Sequence, residues 1–156
     1  MAGKIDSRLI EKNIEIPEAA SPVANYLPYV KAGNLVFVSG QITLENGTLR
    51  YQGKVGDDIS LEDAQDAARL CGLNLISQVK NACDGDLDRV KRVLKLGGFV
   101  NGAPDFVSQP QVLNGASDLM VEVFGDAGRH ARSAVGVTSL PLGVAVEIDG
   151  IFEIET

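Results

Sequence analysis

The stretch from Ser60 to Gly85 constrains this chain more than any other. Ser60 can accept a hydrogen bond from the first turn of a helix, and Glu62 and Asp63 place carboxylates at its positive end. Apolar residues then recur at Leu61, Ala64, Ala68, Cys71, Leu75, Val79 and Ala82, the rhythm of a helix with one buried face. Asp84-Gly85 should end it. A second helix is predicted from Pro110, which suits a first helical position, to Gly125. It carries Val112, Leu113, Ala116, Leu119, Met120, Val123 and Phe124 on its apolar side.

Strand-like segments surround these helices. Tyr29 to Val38 reads as a hairpin turning at Ala32-Gly33-Asn34, and its second arm is continuously apolar. Thr48 to Gly53 reads as a strand entered through the Asn46-Gly47 turn. Arg89 to Asn101 reads as another, with Gly97-Gly98 suggesting a bulge or bend. Ser133–Leu140 and Gly143–Ile154 close the chain as two strands joined at Pro141-Leu142. Before all of these, Lys4 to Lys12 fits a short amphipathic helix using Ile5, Leu9 and Ile10, and Ile14 to Pro17 an extended connector.

The expectation is one α+β domain over residues 1–156, with residues 1–25 an extension packed on it. It should hold a mixed sheet of about six strands with two helices on one face. The strands carry apolar residues at both parities, so the uncovered face should meet other copies of the chain.

Composition removes several function classes. The formal charge is −7, with 21 acidic against 14 basic residues, which disfavours a broad phosphate-binding surface. The dense basic cluster Arg89-Val90-Lys91-Arg92 reads as a solvated edge. Cys71 and Cys83 lie roughly 18 Å apart along one helix at 1.5 Å per residue, too far to bridge, and read as reduced core thiols. The opening residues lack a signal-like apolar run, and no stretch approaches a membrane span. A cytoplasmic protein is the expectation. One histidine, His130, and no CxxC argue against a metal site. The Gly97–Gly102 segment matches neither a P-loop nor a dinucleotide fingerprint. Ser39 with His130 is a nominal hydrolase pair without a nucleophile elbow, and His130 is expected to tie down the loop between helix and strand.

Two constellations remain. Tyr26 is followed by Gly33-Asn34-Leu35-Val36-Phe37-Val38-Ser39-Gly40-Gln41. Further on, Ala131-Arg132-Ser133-Ala134 precedes Glu147-Ile148. In these segments the chain resembles the RidA (YjgF, endoribonuclease L-PSP) family. The runs Asn114–Met120 and Gly128–Ala134 look like its longer, chorismate mutase-like branch of roughly 150 residues.

The resemblance implies a chorismate mutase-like fold, a homotrimer, clefts between subunits and no cofactor. The implied activity is hydrolysis of reactive 2-imino and enamino acids to 2-keto acids and ammonia. Arg132 then matches the arginine that holds the substrate carboxylate, and Glu147 the glutamate that positions or activates water. Ser39, Tyr26, Asn114 and Ala134 match groups around the substrate. A guanidinium fork suits a carboxylate, and an imine carbon needs only an oriented water and a base. Ala134 stands where many deaminating members carry cysteine, His130 where proline is common, and Thr138 where a small or basic residue is usual. These changes bear on substrate choice and turnover.

If the last two strands form a hairpin, Arg132 falls opposite about Ile151, roughly 13 Å along the strand from Glu147. One small substrate would not span that distance, which favours a cleft built by two subunits. Two further readings stay open: a non-catalytic trimer that binds a small carboxylate metabolite, and, more weakly, a ribonuclease, which the acidic charge disfavours. Chorismate mutase activity would rest on fold alone.

Overall fold

The computed structural model describes residues 3–21 and 24–156. Helix α1 (Lys4–Glu11) precedes strands β1 (Tyr29–Ala32), β2 (Leu35–Gln41), β3 (Leu44–Glu45) and β4 (Thr48–Leu49). Helix α2 (Leu61–Ala82), β5 (Val90–Asn101), α3 (Gln109–Phe124), β6 (Ala131–Val137) and β7 (Val146–Ile154) follow.

The local signals hold where the chemistry is local. Ser60 accepts a hydrogen bond from the Asp63 backbone N–H at 3.1 Å, and α2 runs to the predicted end. Gly125 closes α3 at φ 65°, where a side chain would be strained. Asn46 and Gly47 both adopt positive φ in the tight turn between β3 and β4. With only eight residues, α1 is too short to stand alone. Asp88 caps it from a distance, accepting the Lys4 and Ile5 backbone N–H groups at 2.8 and 2.7 Å, while Ile5 and Leu9 are buried.

The main sheet has five strands in the order β1-β2-β7-β5-β6, and β3-β4 form a separate ribbon. The expected sixth strand is reduced to that ribbon. Strand β6 pairs only with β5, and in parallel. Strand β7 runs antiparallel between β2 and β5. The hairpin expected at Pro141-Leu142 is therefore absent, and Arg132 lies level with Leu96 instead of opposite Ile151. A parallel neighbour needs a long crossover, and α3 supplies it between β5 and β6.

Gly97-Gly98 is also not a bulge, since both residues pair in register on both sides. The irregularities of β5 fall earlier, between Val90 and Lys95. The glycine pair instead lets neighbours close in. A Cβ at Gly98 would collide with Leu113 of α3, and one at Gly97 with Asp149.

Helices α2 and α3 cover one sheet face, burying Val36, Val38, Val93, Leu96, Val100, Val146, Ile148 and Phe152 in one core cluster. On the opposite face, Phe37 and Val135 are 43% and 46% exposed. They border a hollow with Phe99 and Ile151. Cys71 and Cys83 are buried and unbridged. No helix among the described residues is long and apolar enough to cross a membrane.

Candidate active site

Because side chains alternate along a strand, the register decides which predicted residues can meet. Arg132 pairs with Leu96, which is buried under the helices. Its side chain therefore points to the helix-covered side, toward α3. Glu147 pairs with Phe99, between the buried Gly98 and Val100, and so belongs to the open side. Two strand spacings and three residues of β7 separate them, each displacement about 10 Å, and they lie on opposite faces. One chain does not bring its arginine and its glutamate together.

The arginine half is tightly organised. Arg132 Nη1 donates to Asn114 Oδ1 at 2.8 Å and to Ser117 Oγ at 3.1 Å. The Ser117 hydroxyl lies 2.9 Å from His130 Nε2, and His130 Nδ1 lies 2.6 Å from the Gly128 carbonyl. A carbonyl only accepts, so Nδ1 carries a proton; in the neutral ring Nε2 then accepts from Ser117, whose oxygen accepts from Arg132. His130 thus ties down the helix-to-strand loop, as expected, and also fixes the guanidinium through Ser117. None of the ion pairs among the described residues involves Arg132. Arg132 also lines a hollow of about 310 Å³, together with Asp118, Val121 and Arg129. Ala134 follows two residues along the same strand face and packs against the core.

The glutamate half is built on an irregularity. Between Val38 and Gln41, β2 carries one residue more than β7 opposite, a bulge that re-aims Ser39 and Gly40. Ser39 Oγ donates to the Leu27 carbonyl at 2.6 Å, and Ser39 N donates to the Pro28 carbonyl at 2.9 Å. That serine anchors the segment carrying Tyr26, whose ring is half exposed, and is not a free nucleophile. Gly40 lies against Glu147, since a Cβ there would stand 2.9 Å from Glu147 Oε2. Burial, and then the neighbouring Asp149, raise the Glu147 pKa above the usual carboxylate range. Such a carboxylate is a better base than one in water.

Tyr26, Ser39 and Glu147 thus group on one half, and Arg132, Asn114 and Ala134 on the other. Ser117 and Gly40 were not singled out by sequence. Ser117 sits three residues after Asn114, the spacing that places both on one helix face, and this was the signal that could have found it. No cluster of metal-ligating side chains occurs among the described residues.

The model of the YjgF/chorismate mutase-like endoribonuclease family matches residues 6–149. Protein TCP17 of Trypanosoma cruzi is 46% identical, over 98% of this chain and 96% of that protein. A 2-iminobutanoate/2-iminopropanoate deaminase of Dermatophagoides farinae is 31% identical, over 91% and 95%. The crystal structure of an Agrobacterium tumefaciens protein of unknown function superposes with a TM-score of 0.90 at 49% identity, covering 97% of this chain and 92% of that one.

Proposed function

This chain belongs to the RidA, or YjgF/chorismate mutase-like, family, and from that premise we propose that it hydrolyses reactive 2-imino and enamino acids in clefts between three copies of itself. The observation that carries the reading is the state of Arg132. Asn114 and Ser117 fix one of its nitrogens, and no carboxylate among the described residues pairs with it. A carboxylate-bearing metabolite is the ligand such a fork fits.

With that carboxylate held by Arg132 of one copy, the imine carbon faces Glu147 of the next. Glu147 takes a proton from water as its oxygen bonds to carbon 2. Glu147 hands that proton to the nitrogen, giving an amino alcohol; it then moves the hydroxyl proton to the same nitrogen as the C=O bond forms and the C–N bond breaks, and 2-keto acid and ammonia leave. No cofactor enters this balance, because the imine carbon is already electrophilic. The exposed Phe37 and Val135, with the half-buried Phe99 and Ile151, give the open sheet face the apolar surface a partner copy would cover.

The test is keto acid release from imines generated in situ by an amino-acid oxidase. Wild type should accelerate it and Arg132→Ala should not. Light scattering on the same sample should give a trimer mass. Engagement of Ser39 with the Leu27 carbonyl removes one polar group from the chemistry, and a second reading dispenses with the chemistry altogether. A non-catalytic carboxylate sensor would bind 2-keto acids saturably without turnover, and Glu147→Gln would keep that affinity.

A further inference from the structure

Strands β5 and β6 run parallel, and a hollow of about 550 Å³ opens at their carboxyl ends. Gly102 lines it just after β5, Gly136 and Thr138 at the end of β6, and Gln109 at the start of α3. Lys54, half-buried in the loop before α2, lines it as well. Its ammonium donates to Asn101 Oδ1 at 2.9 Å and to the Thr138 carbonyl at 2.6 Å. Asn101 is itself buried, and its amide nitrogen donates to the Gly53 and Val144 carbonyls. Two neutral acceptors thus lock the lysine in place. An ammonium has three donors, and none of the ion pairs among the described residues involves Lys54. Asp58 accepts the Lys54 backbone N–H at 3.0 Å but does not pair with the ammonium. No carboxylate lines the hollow, and neither Arg132 nor Glu147 belongs to it. Thr138 follows Arg132 by six residues, roughly 20 Å of extended strand.

We propose that this hollow is a second ligand site, which takes a small monocarboxylate with a compact apolar body and seats its carboxylate on Lys54. The two neutral acceptors explain where the lysine sits and leave its charge uncompensated, although the chain as a whole has a formal charge of −7. An anion supplies the missing acceptor through a charge-assisted hydrogen bond. The lining decides which anion. Lys54 is its one cation, which matches a single negative charge, whereas a phosphate dianion would call for a second. Phe106 offers an aromatic ring to an apolar body. The Gln109 amide nitrogen, held by the Phe106 carbonyl at 2.9 Å, lies over Gly136, where a Cβ would stand 2.8 Å from it. Glycine therefore keeps this wall open. The position also agrees with the habit of parallel strands, which hold ligands outside their carboxyl ends. None of this depends on the roles given to Arg132 and Glu147.

The experiment titrates the isotope-labelled full chain with benzoate, benzamide and inorganic phosphate, following the backbone amide resonances of Gly102, Gly136 and Thr138. Benzoate should shift them saturably, with a Kd on the order of 1 mM. Benzamide, which has the same ring and no charge, should not, and phosphate should bind more weakly than benzoate. Lys54→Met should weaken benzoate binding at these amides by about tenfold or more, while Lys54→Arg, which keeps the charge, should retain most of it. If Lys54→Met fails to fold because Asn101 Oδ1 loses its donor, the comparison of benzoate with benzamide on wild type decides alone. Arg132→Ala should leave the three shifts intact, since the two sites are separate. The proposal is overturned by the absence of a saturable benzoate shift, by an equal response to benzamide, or by full affinity in a folded Lys54→Met. Loss of the shifts in Arg132→Ala overturns it as well, and phosphate binding as tightly as benzoate overturns the monocarboxylate class.

Discussion

The two halves of the site are built on opposite physical terms. Around Arg132 a chain of hydrogen bonds holds one nitrogen of the guanidinium: Nη1 to Asn114 and Ser117, serine to His130, histidine to the Gly128 carbonyl. Around Glu147 the carboxylate lies against Gly40, partly stripped of water and close to Asp149, and its proton affinity rises accordingly. The first arrangement holds a charge in place without cost to the fold. The second keeps a charge in an unfavourable setting, which makes a base reactive and a fold slightly less stable. The arginine and the glutamate thus stand on different faces of one sheet, and the proposed function requires a second copy to unite them.

The sharpest way to break this contrast is Glu147→Gln. Loss of a positioned base should lower kcat by about 10² to 10⁴ with KM little changed, as steady-state kinetics would read. In wild type the basic form disappears as pH falls through the raised pKa, so kcat should decline at a pH above the ordinary value of 4.5. The sign for stability is opposite. The native state keeps this proton at pH values where the unfolded chain has lost it, so stability falls as pH rises from about 4.5 through the raised value. Thermal melts should therefore show Glu147→Gln more stable than wild type at pH 7, with the gain gone near pH 4. A constant difference across that range would remove the buried-base account.

Arg132→Lys probes the other half. It keeps the charge but loses the fork, and kcat/KM should fall by about 10- to 100-fold, seen as a higher KM. If lysine substitutes freely, the arginine is not a bidentate clamp. Gly40→Ala comes next, since its methyl would press on Glu147 Oε2. We expect kcat to drop on the order of tenfold with the acid limb of the pH profile displaced. An unchanged profile would uncouple Gly40 from the carboxylate. The smallest effect is expected for His130→Ala, which removes the support of Ser117. KM should rise a few-fold and stability fall by about 1 kcal/mol, while kcat and its pH profile hold. A change in that profile would give His130 a chemical part that its hydrogen bonds do not suggest.

Much of the fold was legible because its signals are short-ranged. Ser60, Pro110, Gly125 and Asn46-Gly47 act on the turns that contain them, and each element begins or ends where they stand. The partners of β6 were not legible. The segment after Arg132 alternates like any strand, and nothing in it distinguishes a hairpin at Pro141-Leu142 from a parallel pairing reached through α3. Gly97-Gly98 misled for the same reason: glycine marks a close approach as readily as a bulge, and here Leu113 and Asp149 approach from either side. The bulge that matters, at Ser39-Gly40, lies in the motif itself, where its bend became visible only against β7.

The residues alone determined the family, the two long helices and the acidic charge, because motifs, capping, periodicity and side-chain chemistry are written locally. Only the tertiary structure decided that Arg132 and Glu147 face opposite sides of the sheet. It also decided that Ser39 is already spent on the Leu27 carbonyl and that Ser117 and His130 stand behind the arginine. Strand order and register are set by burial summed over the whole sheet, and a shift of one residue or one neighbour turns a side chain from one face to the other.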